Sequence, residues 1–201
     1  MSKDLNVPVF SSLDHPELVK ILRAGRVGVL LTDTVYGLVG SAKLADAATR
    51  VIDAKGRKYK PGTVIAASTK QLVDLGIQRE HVHAAKQFWP GPVTVVLPTK
   101  PGLDYLHLGL ESLAVRVPNH PEVVALLKKV GPLLTTSANR PNEPMVTSIQ
   151  EAQDIFGNRL NFYVDGGRLD SPLASTIIKI NIELLRQGAA IIHPDSLQQT
   201  S

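Results

Sequence analysis

The sequence predicts an α/β fold: a mixed sheet flanked by helices, with the last strands paired as a hairpin. Three observations carry this. Short β-branched apolar runs alternate with segments of helical period, glycines and capping residues stand where those segments end, and no internal repeat, long linker or low-complexity stretch interrupts the alternation. At 201 residues the chain can bury one substantial core, and a single domain over 1–201 is expected.

Residues 15–24 carry Leu18, Ile21 and Leu22 on one helical face and stop at Gly25, a left-handed cap. Residues 27–31 read as a strand that delivers the polar run Thr32-Asp33-Thr34-Val35-Tyr36-Gly37-Leu38 to its end. A helix over 46–54 follows, then a strand over 64–67. Ser68 and Gln71 have the spacing of a capping box that opens a helix ending at Gly76. A further helix is expected over 79–88, broken by Trp89-Pro90-Gly91-Pro92, and a strand over 93–97. Strands over 113–117 and 133–136 enclose a helix over 121–129 that closes on Gly131. Ser148 and Glu151 repeat the capping spacing before a helix to about Phe156. Strands at 162–164, 176–180 and 183–185 complete the pattern, joined by Asp165-Gly166-Gly167 and Ile180-Asn181-Ile182 turns, and the polar 196–201 is expected to fray.

The composition, 43% hydrophobic and 20% charged, is that of a globular chain. Absence of cysteine excludes disulfides, thiolate metal sites and cysteine nucleophiles, and favours a reducing, cytoplasmic setting. No apolar run approaches the roughly 20 residues of a membrane span, and Met1 to Leu13 lacks the order of a signal peptide, so no membrane association is expected. The net charge of +4 favours anionic partners such as nucleotides or RNA. The six histidines show no paired metal spacing beyond His81 and His83, which a helix would point to different faces. No metal site is therefore expected in the protein itself, and magnesium would arrive with a nucleotide.

Lys55-Gly56-Arg57-Lys58-Tyr59-Lys60 places four cations in six residues, readable as a solvated loop or as an anion site. The usual phosphate loop, dinucleotide glycine pattern, zinc-protease helix and nucleophile elbow are absent. Phosphate binding would need another design, and Lys55 with Arg57, together with the strand-end run Thr135 to Asn139, could supply it. Arg116 sits inside an apolar strand, where its guanidinium either faces water or pairs with an anion. Asp33 reads as a base or as a loop-capping carboxylate.

In order and spacing, Thr32 to Leu38, Lys55-Gly56-Arg57, Trp89-Pro90-Gly91-Pro92-Val93-Thr94, Leu113 to Pro118 and Ser137-Ala138-Asn139 resemble the YrdC/TsaC family of threonylcarbamoyl-AMP synthases, in its short single-domain form. The resemblance implies a twisted sheet with a positively charged concave face, and a reaction of L-threonine, bicarbonate and ATP giving L-threonylcarbamoyladenylate and pyrophosphate. A tRNA threonylcarbamoyl transferase complex would then act as partner, with direct tRNA or RNA contact also open. By position, Lys55, Arg57, Ser137 and Asn139 would be catalytic and surround the ATP phosphates. Ser112 and Arg186 would also touch nucleotide, and Thr34, Arg116, Thr135 and Ser175 would contact substrate, with Thr176 beside the last. Leu31 and Lys58 stand where many members carry proline, and the histidine of the longer branch is missing near Val64 and Ile65. The alternatives are a non-catalytic RNA-binding module of the same fold, and a sibling carbamoyl-adenylate enzyme that uses another amine.

Overall fold

The computed structural model describes residues 7–56, 60–179, 183–186 (backbone alone) and 188–190. Arg57, Lys58 and Tyr59, the Ile180-Asn181-Ile182 turn and the terminal 191–201 lie outside the described residues.

Strand β1 (Val9–Phe10) leads into helix α1 (Pro16–Arg23), which starts on a proline whose missing donor is harmless in a first turn. Gly25, at φ 72°, turns the chain out of that helix into β2 (Gly28–Leu31) and β3 (Tyr36–Ser41). Helix α2 (Ala45–Lys55) closes on left-handed Gly56. Strand β4 (Thr63–Ile65) is followed by α3 (Thr69–Leu75) and α4 (Arg79–Ala85), and then by β5 (Val93–Pro98). Next come α5 (Asp104–His107), β6 (Ser112–Arg116), α6 (Pro121–Val130) and β7 (Leu133–Ser137). Helix α7 (Ile149–Phe156), β8 (Phe162–Val164), β9 (Thr176–Lys179) and β10 (Glu183–Arg186) complete the order.

Most expected elements are present, with differences that have local causes. The expected helix over 79–88 is α4 plus a tighter 3-10 turn at Lys86–Phe88. Strand β3 was hidden because its six residues, Tyr-Gly-Leu-Val-Gly-Ser, are buried on both faces and show no alternation. Strand β1 is two residues long, and α5 is a single turn that ends on left-handed Leu108. Ser68 and Ser148 do cap, accepting the amides of Gln71 and Glu151. The return bonds reach one residue further back than a capping box requires: Gln71 accepts from the Ala67 amide and Glu151 from that of Thr147.

The strands form one ten-stranded mixed sheet in the order β1-β8-β2-β3-β7-β4-β6-β5-β9-β10. Pairs β1/β8, β8/β2, β4/β6 and β5/β9 are parallel, and the others are antiparallel, including the expected hairpin of β9 with β10. At its centre β3 runs antiparallel to β7, with Gly37 opposite Ser137 and Val39 opposite Thr135.

One face buries Val29, Leu38, Val64, Val95, Val115, Leu134 and Ile178 beneath Val51 of α2, Leu72 of α3, Val82 of α4, Leu106 of α5 and Phe156 of α7. On the opposite face Leu30, Val39, Ile65, Leu133 and Phe162 pack under Leu18 and Leu22 of α1 and Val123, Leu126 and Leu127 of α6. Along that second face the residue type changes. Leu133 gives way to Thr135 and Ser137, Ile65 to Thr63 and Val39 to Gly37, since side chains two apart share a face. The polar ends fall side by side and leave part of the face open.

Two outcomes test this packing. A Cβ at Gly28 would collide with the Phe162 carbonyl oxygen and stand 2.6 Å from its ring, so Gly28→Ala is expected to cost about 1–3 kcal/mol. Urea denaturation within 0.5 kcal/mol of wild type would contradict the close β2–β8 approach (about the scatter of neutral surface changes). Burial pushes the Tyr163 phenol up to about 12, and burial also raises Tyr36 and Tyr105. The fold favours the neutral phenols, so this stabilisation is whole below the ordinary value of 10 and is lost as pH rises through about 12. Absorbance at the phenolate band should therefore rise late and together with unfolding.

Candidate functional site

The open part of the second face is a cavity of about 460 Å³. Its floor is made by β7, β4 and β6 through Thr135, Ser137, Thr63, Ala114 and Arg116, and Thr32 and Thr34 of the β2–β3 turn form one wall. Leu173, Ala174, Ser175 and Ile177, with Met145 and Gly188, form the far side. The backbone can close this tightly because two neighbours of Thr135 lack side chains. A Cβ at Gly37 would stand 2.5 Å from Thr135 Oγ1, and one at Gly62 2.5 Å from its carbonyl oxygen.

Arg116 is 3% exposed, so the water-facing reading of this strand position is wrong; the anion-paired one holds. Its Nη2 lies 3.0 Å from Asp33 Oδ1, and Nη1 donates to Thr34 Oγ1 at 3.3 Å. A guanidinium removed from water needs such a partner. Asp33 is thus an ion-pair partner, and it caps a distant loop rather than its own, since Oδ2 accepts the Asn119 amide at 3.3 Å. The turn that carries it is knit by Thr32, whose hydroxyl donates to the Val35 carbonyl at 2.8 Å and accepts the amides of Thr34 and Val35.

Behind the cavity, Lys55 is the last residue of α2 and is 4% exposed, not a residue of a solvated loop. Its ammonium donates to the Ser137 carbonyl at 2.7 Å and to the Asn139 carbonyl and Oδ1 at 2.6 Å each, with Ser137 Oγ at 3.3 Å. Asn139 Nδ2 in turn donates to the Glu143 carbonyl. A lysine has three N–H bonds, and here these oxygens take them. The cation therefore ties the end of α2 to the strand-end loop at 137–139. On the far wall, Ser175 Oγ lies 2.8 Å from Thr94 Oγ1, both buried. Thr176 is fully buried, and its hydroxyl clips the 188–190 backbone by donating to the Ala190 carbonyl and accepting the Gly188 amide at 2.9 Å.

Of the residues singled out from sequence, Thr34, Arg116, Thr135, Ser137 and Ser175 converge on the cavity, with Lys55 and Asn139 directly behind Ser137. Ser112 is not among the lining residues; it opens β6 and donates to the Leu110 carbonyl at 3.2 Å. Arg57 lies outside the described residues, and Arg186 is described only as backbone of β10. Sequence reasoning gave Gly37 no role of its own within its motif and missed Gly62, whose signal was glycine inside or beside apolar strands, and it missed the apolar Met145 and Leu173, which gave no signal. Among the described residues no group of three or more histidines or carboxylates could hold a metal ion, and no helix is long and apolar enough to cross a membrane.

The sequence profile of the Sua5/YciO/YrdC family, described as Telomere recombination, matches residues 20–188. The chain belongs to that family. It is 35% identical over 189 residues to the threonylcarbamoyl-AMP synthase of Bacillus subtilis, a match covering 88% of this chain and 55% of that protein. It therefore spans about half the length of this relative. Among solved structures, Sua5 of Pyrococcus abyssi complexed with L-threonine superposes with a TM-score of 0.78 at 31% identity, covering 90% of this chain and 57% of that one. YciO of Escherichia coli shares the fold with a TM-score of 0.80 at 22% identity and covers 94% and 98% of the two chains.

The buried role of Lys55 is testable. Lys55→Met keeps the stem and removes the ammonium, taking away the donor that the buried Asn139 carbonyl and Oδ1 share. It is expected to cost about 3 kcal/mol in urea denaturation and to shift the amide resonances of 137–139. Wild-type stability with unmoved resonances would show that the loop holds itself.

Proposed function

We propose that the chain is an L-threonylcarbamoyladenylate synthase. It would take L-threonine, bicarbonate and ATP, and release threonylcarbamoyl-AMP and pyrophosphate for threonylcarbamoyl-adenosine modification of tRNA. The observation that carries this reading is the likeness, over 90% of this chain at 31% identity, to a relative solved with L-threonine. The cavity agrees chemically: it presents a buried guanidinium and several hydroxyls, groups suited to a small zwitterion with its own hydroxyl. Relatives named as synthases favour catalysis over a non-catalytic RNA-binding module.

In this reading Arg116 and Thr34 face the amino-acid end, with Thr135 and Ser175 beside it, and Ser137 leads toward the nucleotide. The threonine amine captures bicarbonate carbon as a carbamate with loss of water. A carbamate oxygen then attacks the α-phosphorus; that P–O bond forms as the bond to the β-phosphate oxygen breaks, and pyrophosphate leaves. Negative charge grows on the leaving group, so cationic and hydroxyl donors belong on that side. Lys55 and Asn139 would shape it from behind, and Arg57, Ser112 and Arg186 would approach the nucleotide from the surrounding segments. Magnesium would come bound to the ATP phosphates. A cytoplasmic enzyme with a basic concave face, serving a tRNA threonylcarbamoyl transferase partner, completes the proposal.

Pyrophosphate release measured with ATP and magnesium should require both L-threonine and bicarbonate, and in an amino-acid panel threonine should lead. Release with another amine would assign a sibling carbamoyl-adenylate activity, and none with any amine would refute the synthase. Arg57→Ala should lower turnover by about two orders of magnitude with little change in stability, the scale of one lost transition-state donor.

A further inference from the structure

We infer that Asp33 is a positioning residue for the amino-acid substrate: it fixes the guanidinium of Arg116 and, through it, the hydroxyl of Thr34, as one preorganised unit. The inference rests on the threonine-binding reading above and deepens it. The contacts form a closed ring. The β2–β3 turn is held by Thr32, which lies 3.2 Å from Thr34 Oγ1 through its own hydroxyl oxygen. From that turn Asp33 reaches across to Arg116 on β6 at 3.0 Å, and Arg116 returns to the turn at Thr34 Oγ1. The Asn119 amide, three residues beyond Arg116, binds the other Asp33 oxygen. The β2–β3 turn and the end of β6 thus share two links through one carboxylate.

Burial says what the carboxylate is for. Both side chains are sealed, 4% exposed for Arg116 and 5% for Asp33. A buried carboxylate beside a site for a carboxylate ligand would repel that ligand if it faced the cavity. Arg116 and Thr34 line the cavity and Asp33 does not. The acid is therefore placed behind the guanidinium, where it restrains a long, rotamer-rich side chain and leaves the cation between itself and the ligand. Holding a side chain rigid before binding removes the entropy that ordering it would cost at the moment of binding. In this arrangement Asp33 makes no contact with the reacting atoms and transfers no proton.

The sharpest test is a double-mutant cycle on L-threonine binding, read by calorimetry in the absence of ATP. Asp33→Asn keeps an oxygen for the Asn119 amide but removes the charge, and it should weaken L-threonine about tenfold while leaving ATP affinity unchanged. Asp33→Glu, which restores the charge on a longer stem, should recover part of the loss. In an Arg116→Gln background, where the guanidinium is already gone, Asp33→Asn should cost nothing further. Equal losses in both backgrounds would overturn the inference, as would unchanged threonine affinity in Asp33→Asn. The double variant removes both charges of the buried pair, so it can be studied even where the single variant folds poorly. The guanidinium ¹⁵N signals of Arg116 supply a readout independent of the ligand. They should move in Asp33→Asn, and unmoved signals would refute the ring itself. If the wild-type protein binds no L-threonine while those signals still move in Asp33→Asn, the threonine reading alone fails and the Asp33–Arg116 coupling is retained.

Discussion

The antiparallel pairing of β3 with β7 is the constraint on which the rest of the molecule depends. It joins the β1-β8-β2 side of the sheet to the β4-β6-β5-β9 side and sets Gly37 against Ser137. Because a strand shows alternate residues to each face, a slip by one would turn Thr135 and Ser137 into the core and Leu134 outward. Register therefore decides at once where the core lies and where the cavity lies. The two glycines beside Thr135 belong to the same constraint, since each would bring a Cβ to 2.5 Å from that threonine.

From this centre the polar groups are fixed in two layers. Thr34, Arg116, Thr135, Ser137 and Ser175 line the cavity, and behind them stand Asp33, ion-paired to Arg116, Lys55 and Asn139, both bonded to Ser137, and Thr94, bonded to Ser175. A charged side chain behind the wall is costly to bury alone, and both Asp33 and Lys55 have partners within hydrogen-bonding reach. Such support holds first-layer groups in place before any ligand arrives. The site is thus placed on strands and on turns tied to strands, and geometry is inherited from the sheet rather than from mobile loops.

Much of this was legible in the sequence, for definite reasons. Helices α1, α6 and α7 announce themselves through apolar spacing, proline or serine at the start and glycine at the end. Strand β8 was read with its observed bounds, because Phe162-Tyr163-Val164 is flanked by turn formers. Strand β3 was not, since a strand buried on both faces loses the period that identifies strands. Several residues that line the cavity were singled out by motif order, yet their contacts were not. Lys55 read as a solvated cation from composition because nothing local shows that residues 82 and 84 positions away will surround its ammonium. Asp33 read as a base or a cap of its own loop for the same reason: its partner is Arg116, brought near only by the crossing of the sheet.

In the proposed synthase, one cavity receives the amino acid at Arg116 and Thr34 and the nucleotide beyond Ser137. A crystal structure of the protein with L-threonine and a non-hydrolysable ATP analogue measures this directly. The account predicts the threonine carboxylate within hydrogen-bond distance of the Arg116 guanidinium, its hydroxyl or amine near Thr34, and phosphate oxygens on the Ser137 side. Threonine bound elsewhere on the surface, or phosphates occupying the Arg116 end, would contradict it.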